Sequence, residues 1–350
     1  MRTGVLGCVL FVGMSCLSAA AAPTANEILK VSGLHGGFIV QLGCGDGTLT
    51  TKLHFSDAFV VQGLDTDAAA VRRTREQILA RNLTGAVSAA TFDGTHLPYV
   101  NSLVNLVVAE DLGDVAMAEV MRVLCPGGAA YVRRNGTWNK SIKPWPADID
   151  DWTHYLHDPR GTAVSDDLVA GHPKGLRWTG GPFWARSHEH TASMQAMVST
   201  GGKVFYVFDE GPTDSIQLPS KMVLTARDAF NGTVLWKHPL HDWFNALFPL
   251  KSGPGWMPRR LVAVGDKVYI GPGLGQNLLC LDANTGKVVR EYSGTATTFE
   301  LIVSDGVVLA EVDPNEKYCD YRQENANCWK ERDRASRTWG WHRESDGCAW

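Results

Sequence analysis

Between residues 37 and 132 the apolar positions fall into short runs separated by polar, helix-forming stretches. Gly37–Leu42 (GFIVQL), Phe59–Leu64 (FVVQGL), Ala86–Thr91, Leu103–Ala109 and Ala129–Val132 each read as a buried strand. Ala68–Ala80 and Ala116–Leu124 carry the spacing of helices, and Thr48–Leu53 reads as a helix opening. Strands alternating with helices predict a parallel, doubly wound sheet. Beyond about residue 180 the pattern changes. Lys203–Phe208, Lys267–Ile270 and Gly306–Ala310 are strands that follow Gly201-Gly202, Gly265-Asp266 and Ser304-Asp305. Asp228–Trp236 and Asp282–Arg290 align with each other as Asp-Ala-x-x-Gly flanked by strands. That spacing describes a hairpin turn in which the Asp accepts turn hydrogen bonds and the Gly adopts positive φ.

The first 22 residues follow a different rule. Arg2 is the only charge before Glu27, and the apolar run from Gly4 ends in Ser18-Ala19-Ala20-Ala21-Ala22. A basic start, an apolar middle and small residues at the end describe a secretory signal peptide, with cleavage expected after Ala20 or Ala21. The alternative is an uncleaved anchor, since the run nearly reaches the roughly 18 residues needed to span a bilayer. No other stretch is apolar enough to cross, so an exported periplasmic or extracellular protein is expected. The chain has 350 residues, 44% hydrophobic and 20% charged, enough for large packed cores and natural for two domains. A net charge of −4 leaves no broad basic field, and nucleic-acid binding is not expected. Of eight cysteines, Cys8 and Cys16 lie in the leader. Cys44, Cys125 and Cys280 sit in apolar patterns as core thiols. Cys319, Cys328 and Cys348 lie in a polar stretch where a Cys319–Cys328 disulfide would suit an oxidising compartment. The sequons at Asn82, Asn135, Asn139 and Asn231 read as chance occurrences.

The candidate chemistry sits where the first strand ends. Gly43-Cys44-Gly45-Asp46-Gly47 joins that strand to the helix opening, a G-x-G-x-G turn that lets backbone approach a ligand and sets a helix N-terminus behind it. It is not the dinucleotide G-x-G-x-x-G, because Thr48 fills the sixth place. The second strand ends at Asp65, where a carboxylate can accept both hydroxyls of a ribose. These residues, with Gly63-Leu64-Asp65, Asp93 before Leu97-Pro98-Tyr99, and Glu119-Val120-Met121-Arg122-Val123-Leu124-Cys125-Pro126-Gly127-Gly128, resemble the ordered motifs of class I S-adenosylmethionine-dependent methyltransferases. The resemblance covers about 100 residues (26–135 as a domain). It implies a Rossmann-like fold with S-adenosylmethionine as cofactor. Gly43, Gly45 and Gly47 would border its methionyl end, Asp65 would hold its ribose and Asp93 would lie beside its adenine. Gln41 stands where the family commonly has an acid, and Asn105 where it often has an Asp. After Val132 no final helix and strand are legible, so the sheet is expected to be short at that edge. Methyl transfer is a displacement that positioning largely supplies, and no catalytic residue is named.

Residues 136–180 form a junction rich in Trp, His and Asp, opened by the stiff connector Pro144-Trp145-Pro146. If Asp148–Asp158 is helical, His154 and His157 share a face with Asp150 one turn back; further on, His188 and His190 would share a side of a strand. Two readings stay open: a transition-metal site, or a hydrogen-bonded polar network without an ion. No tight metal signature occurs, and no metal ligand is assigned.

From 181 to 350 the strands recur with a period near 40, which argues for a β-propeller. The repeats resemble pyrroloquinoline-quinone-type propeller repeats, as in quinoprotein dehydrogenases and BamB-like envelope assembly factors, with Trp236 as the tryptophan that packs between blades and Arg290 departing from it. Without an adjacent Cys-Cys pair, pyrroloquinoline quinone is not expected as a cofactor. About two and a half blades are countable where a closed ring needs about four to eight, so the propeller is incomplete and the chain is expected to be a piece of a longer protein. The expected fold is thus an α/β Rossmann-like domain followed by an all-β, incomplete propeller. Two functions compete: an exported methyltransferase whose propeller binds substrate or partner, and a non-catalytic envelope scaffold whose propeller binds an envelope protein.

Overall fold

The computed structural model describes residues 23–173, 175–181, 193–214, 218–240, 243, 257–273 and 275–312, and the strand at 338–343 by its backbone alone. The leader, His188, His190, Cys319, Cys328 and Cys348 lie outside the described residues. No helix among those described is long and apolar enough to cross a membrane.

The chain enters through α1 (Ala25–Ser32), whose Thr24 side chain caps the Glu27 N–H while Glu27 reaches back to Thr24. Thr-x-x-Glu at a helix start satisfies two backbone donors in this reciprocal way. Then follow β1 (Gly37–Leu42), α2 (Thr48–Lys52), β2 (Phe59–Asp65), α3 (Ala68–Ala80), β3 (Val87–Thr91), β4 (Val104–Ala109), α4 (Met117–Val123), β5 (Leu124–Arg134) and β6 (Thr137–Ile142). The sheet order is β3-β2-β1-β4-β5-β6. β1 to β5 are parallel, as predicted, and β6 runs antiparallel to β5. The side chains of β1, β2 and β4 alternate between two cores. Ile39, Val61, Leu106 and Val108 meet α1 and α3 on one face; Val40, Leu64, Val107 and Ala109 meet α4 on the other.

Two differences from expectation concern the far edge. β5 begins at Leu124, ahead of the expected Ala129, and a register shift opposite Val104–Leu106 absorbs the irregularity of Cys125-Pro126-Gly127-Gly128. The edge is closed by β6, returned through an Asn135-Gly136 turn with both residues at positive φ (50° and 77°), the conformation a two-residue hairpin favours.

The rest of the described chain is antiparallel sheet. One meander contains β7 (Met194–Thr200), β8 (Lys203–Asp209), β9 (Met222–Asp228) and β10 (Val234–Pro239). A second contains β11 (Leu261–Val264), β12 (Lys267–Ile270), β13 (Leu278–Asp282) and β14 (Val288–Tyr292). β15 (Thr298–Ser304), β16 (Val307–Val312) and β17 (Thr338–Arg343) form a third sheet. Val198, Phe205 and Leu224 of the first meander share a core with Leu261, Val268 and Leu281 of the second. Val262, Tyr269 and Cys280 share another with Leu301, Val308 and Ala310 of the third. Successive sheets therefore stack face to face, and their first strands, β7, β11 and β15, lie side by side.

The Asp-Ala-x-x-Gly hairpins are built alike. Asp228 accepts the N–H groups of Phe230 and Asn231, and Asp282 those of Asn284 and Thr285. The indole of Trp236 donates to Ala283 O at 3.0 Å, and Gly286 has no room for a side chain because a Cβ there would meet that indole at 2.6 Å. Trp178 repeats the arrangement one unit earlier, donating to Ala229 O at 3.0 Å and lying against Gly232.

The first hairpin also joins the two halves of the molecule. Asn105, at the strand-start edge of the parallel sheet, donates to Asp228 Oδ2 (2.7 Å) and accepts from Phe38 N–H and from Asn231 Nδ2 (both 2.7 Å). Asn231 also donates to Leu103 O. The departure of Asn105 from the family residue thus has a local cause: an amide can donate to Asp228, and a carboxylate cannot. Burial pushes the Asp228 carboxyl above its ordinary range. Asn105→Asp places a second acid against it, and one of the two must then hold a proton in the folded state. A carboxyl raised on folding costs nothing below its unfolded value, near 3.9, and costs more as pH climbs toward the raised folded value. We expect the variant to lose about 1–3 kcal/mol at pH 7 and to approach wild type near pH 4, read from urea midpoints at the two pH values. An equal deficit at both would contradict this pairing.

Candidate functional site

The site lies at the opposite edge, where the parallel strands end. Between β1 and α2 the chain turns through Gly43 (φ +73°) and Gly45 (φ +58°), both exposed, and a Cβ built on either meets nothing within 4 Å. Positive φ explains the glycines, and the open space in front of them leaves room for a ligand. Gly47 serves differently. It is buried, and a Cβ there would lie 2.7 Å from the Thr74 backbone of α3, so it sets the packing of loop on helix.

The helix behind the turn is short, and its first donor is taken. α2 has five residues, and its first N–H, from Thr48, is held by Asp46 Oδ1 at 2.8 Å. Gly43 and Cys44 N–H both go to Leu64 O, Gly47 N–H to Cys44 O, and Gly45 N–H to Asp65 Oδ2 at 3.2 Å. The loop thus spends these donors on its own shape.

Asp65 faces this loop from the end of β2. Its Oδ2 takes the Gly45 N–H and its Oδ1 the Asp67 N–H at 3.0 Å. A carboxylate has about four lone-pair sites, so capacity for two hydroxyl donors remains. Gln41 links the loop to the helix: its Nε2 donates to Gly43 O, and its Oε1 accepts from Thr50 Oγ1 at 2.8 Å. Cys44 is buried and burial raises its thiol, which keeps it unreactive.

Asp93 stands beyond β3 and turns its Oδ1 onto its own loop, accepting from Thr95 N–H (2.8 Å) and His96 N–H (2.6 Å). These bonds, His96 first and Thr95 next, bring its pKa down to about 2. The loop from Phe92 to Leu103 contains no helix, and a clamp from α4 holds it. Arg122 donates to Tyr99 O (2.8 Å) and Leu97 O (3.1 Å) while gripping Glu119 through two nitrogens, and Glu119 accepts the Leu97 N–H. The hydrogen bonds from Arg122 hold the Glu119 pKa at about 2 despite the opposing effect of burial. In the sequence this pair shows only as an acid and a base three apart on a helix. Arg122→Ala frees the segment that follows Asp93, and ligand binding must then pay for ordering it. We expect about a tenfold loss of affinity for S-adenosylhomocysteine by calorimetry; an unchanged affinity would remove the clamp from the site.

The His and Asp residues of the junction do not form a helix. His154 and His157 pair as an antiparallel bridge, with His157 at φ +79°. His154 Nε2 accepts the Val303 N–H at 3.0 Å, so its Nδ1 carries the proton toward Thr153 Oγ1, and burial lowers its pKa to about 4. His157 Nε2 meets Asp150 Oδ2 at 2.6 Å, and Asp150 also accepts from Ser165 and Asp166. No metal-holding group of His, Cys, Asp and Glu occurs among the described residues. The part of the junction that is described is a hydrogen-bonded network.

With this geometry in place, residues 39–128 match the family model described as a methyltransferase domain. A comparison with curated proteins found no significant match. Solved structures similar to the chain include a putative S-adenosyl-L-methionine-dependent methyltransferase from Methanococcus maripaludis. It is 21% identical over 31% of this chain and 52% of that one, with TM-score 0.29. Another is geranyl diphosphate C-methyltransferase from Streptomyces coelicolor in complex with Mg2+, geranyl diphosphate and S-adenosyl-L-homocysteine, 20% identical over 31% and 43%, with TM-score 0.29. The chain spans about half the length of the solved structures it matches, and at such TM-scores the reading rests on the family model and the motifs. Residues 39–128 are therefore similar to a methyltransferase domain.

Proposed function

We propose that the chain is an exported S-adenosylmethionine-dependent methyltransferase whose antiparallel sheets belong to a β-propeller that engages substrate or an envelope protein. The observation that carries the enzymatic part is the disposition of Asp65: it ends β2 facing an open turn at Gly43 and Gly45. Asp65 keeps acceptor capacity for two hydroxyls beside glycines with open space in front of them, which suits the ribose of the cofactor. When bound, the cofactor brings an already activated methyl group; the chain positions it and excludes competing water. Calorimetric titration of the full chain with S-adenosylhomocysteine tests this reading. Stoichiometric binding is expected, and absence of heat overturns it.

The propeller reading is supported by stacked meanders, adjacent first strands and two tryptophans set in equivalent hairpins. Export rests on the sequence of the leader. The scaffold reading has its own observation: Gln41, neutral and buried, occupies the place where the family commonly has an acid. The same titration separates the two.

A further inference from the structure

We propose that the groove over the β5–β6 hairpin is the acceptor site, and that it takes a small carboxylate, methylated on oxygen. The proposal rests on the methyltransferase reading. Asp65 ends β2 and Asp93 follows β3, so a nucleoside held by them would occupy the β2–β3 side of β1. The methyl-bearing end would then lie on the other side of β1, toward β4 and β5. There the structure has a groove of about 590 Å³, within the range of small-molecule sites. Met117 and Val132 form its apolar part, and Arg134, Asn135, Thr137 and Asn139 its polar part.

Charge decides the class of ligand. Successive residues of a strand face opposite sides. Arg133 turns to Glu110, with Nη1 to Oε1 at 2.5 Å, whereas Arg134 lines the groove and its guanidinium has no ion-pair or hydrogen-bond partner among the described residues. An unpaired guanidinium beside amides and a hydroxyl recognises a planar anion. The lining also contains no histidine and no carboxylate, and its one lysine, Lys140, points its ammonium at Val31 O (2.7 Å) and Ser32 O. No group in the groove is placed to remove a proton, which an alcohol or an ammonium acceptor would need to lose. A carboxylate needs none. One of its oxygens forms the O–CH3 bond with a lone pair as the carbon–sulfur bond breaks and that bonding pair stays on sulfur. Acceptor and sulfonium each become neutral, and no proton moves.

The test uses the full chain saturated with S-adenosylhomocysteine, titrated with succinate by calorimetry, alongside Arg134→Gln and Arg134→Lys. Arg134 is exposed, so melting temperatures should match wild type, which separates a lost site from a lost fold. Succinate should bind wild type, weaken at least tenfold in Arg134→Gln and return most of the way in Arg134→Lys. Equal affinity in Arg134→Gln, or no succinate binding by a protein that binds S-adenosylhomocysteine, overturns the groove and leaves the methyltransferase reading standing. Inorganic phosphate binding more tightly than succinate overturns the carboxylate assignment. Failure to bind S-adenosylhomocysteine strikes the methyltransferase reading instead.

Discussion

Asp65→Ala is expected to weaken binding of S-adenosylhomocysteine by about 100-fold or more. Hydrogen bonds from neutral donors to an ionised acceptor contribute about 1.5–3 kcal/mol each when they replace water, and about 1.4 kcal/mol is a factor of ten. The carboxylate would accept two ribose hydroxyls, and it also anchors the turn through Gly45 N–H. Alanine removes both effects, so the loss exceeds that of one hydrogen bond. Asp65→Asn keeps the shape and one acceptor oxygen, and should fall between. Calorimetry on the three proteins checks the order, and a change below about threefold in the alanine variant would place the nucleoside elsewhere.

Trp236→Ala is expected to cost about 3–5 kcal/mol of stability in the antiparallel region. Its indole is 9% exposed, stands 5.8 Å from Phe205 by ring centroid, and donates to Ala283 O. Truncation opens a cavity between the first and second meanders and leaves the buried Ala283 carbonyl without that donor. Gly286→Ala attacks the same contact from the other side by overpacking it, at about 1–3 kcal/mol. Denaturant midpoints followed by tryptophan fluorescence give both values. A loss below 1 kcal/mol for Trp236→Ala would mean that the sheets hold together without this lock.

The parts of this molecule legible in its sequence share a physical trait: each is specified by neighbours in the chain. β1, β2 and α3 end where apolar periodicity ends, within a residue. The two Asp-Ala-x-x-Gly turns close through bonds spanning two to five residues. The orientation of Asp65 toward the turn follows from β2 lying beside β1. What sequence reading missed depends on distant partners. β6 is polar and exposed along most of its length, so it has no alternation to read. Trp178 looks like any junction tryptophan until the hairpin 51 residues later is folded against it. Asn105 looks like a lost acid until Asp228, 123 residues away, is beside it. The helical reading of the His154–His157 segment failed because His154 is claimed by the Val303 backbone, a partner 149 residues away.

A crystal structure of the full chain grown with S-adenosylhomocysteine tests the central claim most directly. The account predicts both ribose hydroxyls within hydrogen-bond distance of the Asp65 carboxylate, with the backbone of Gly43 and Gly45 against the ligand. A ligand bound at another edge of the sheet, with Asp65 touching only Gly45 and Asp67, would contradict it.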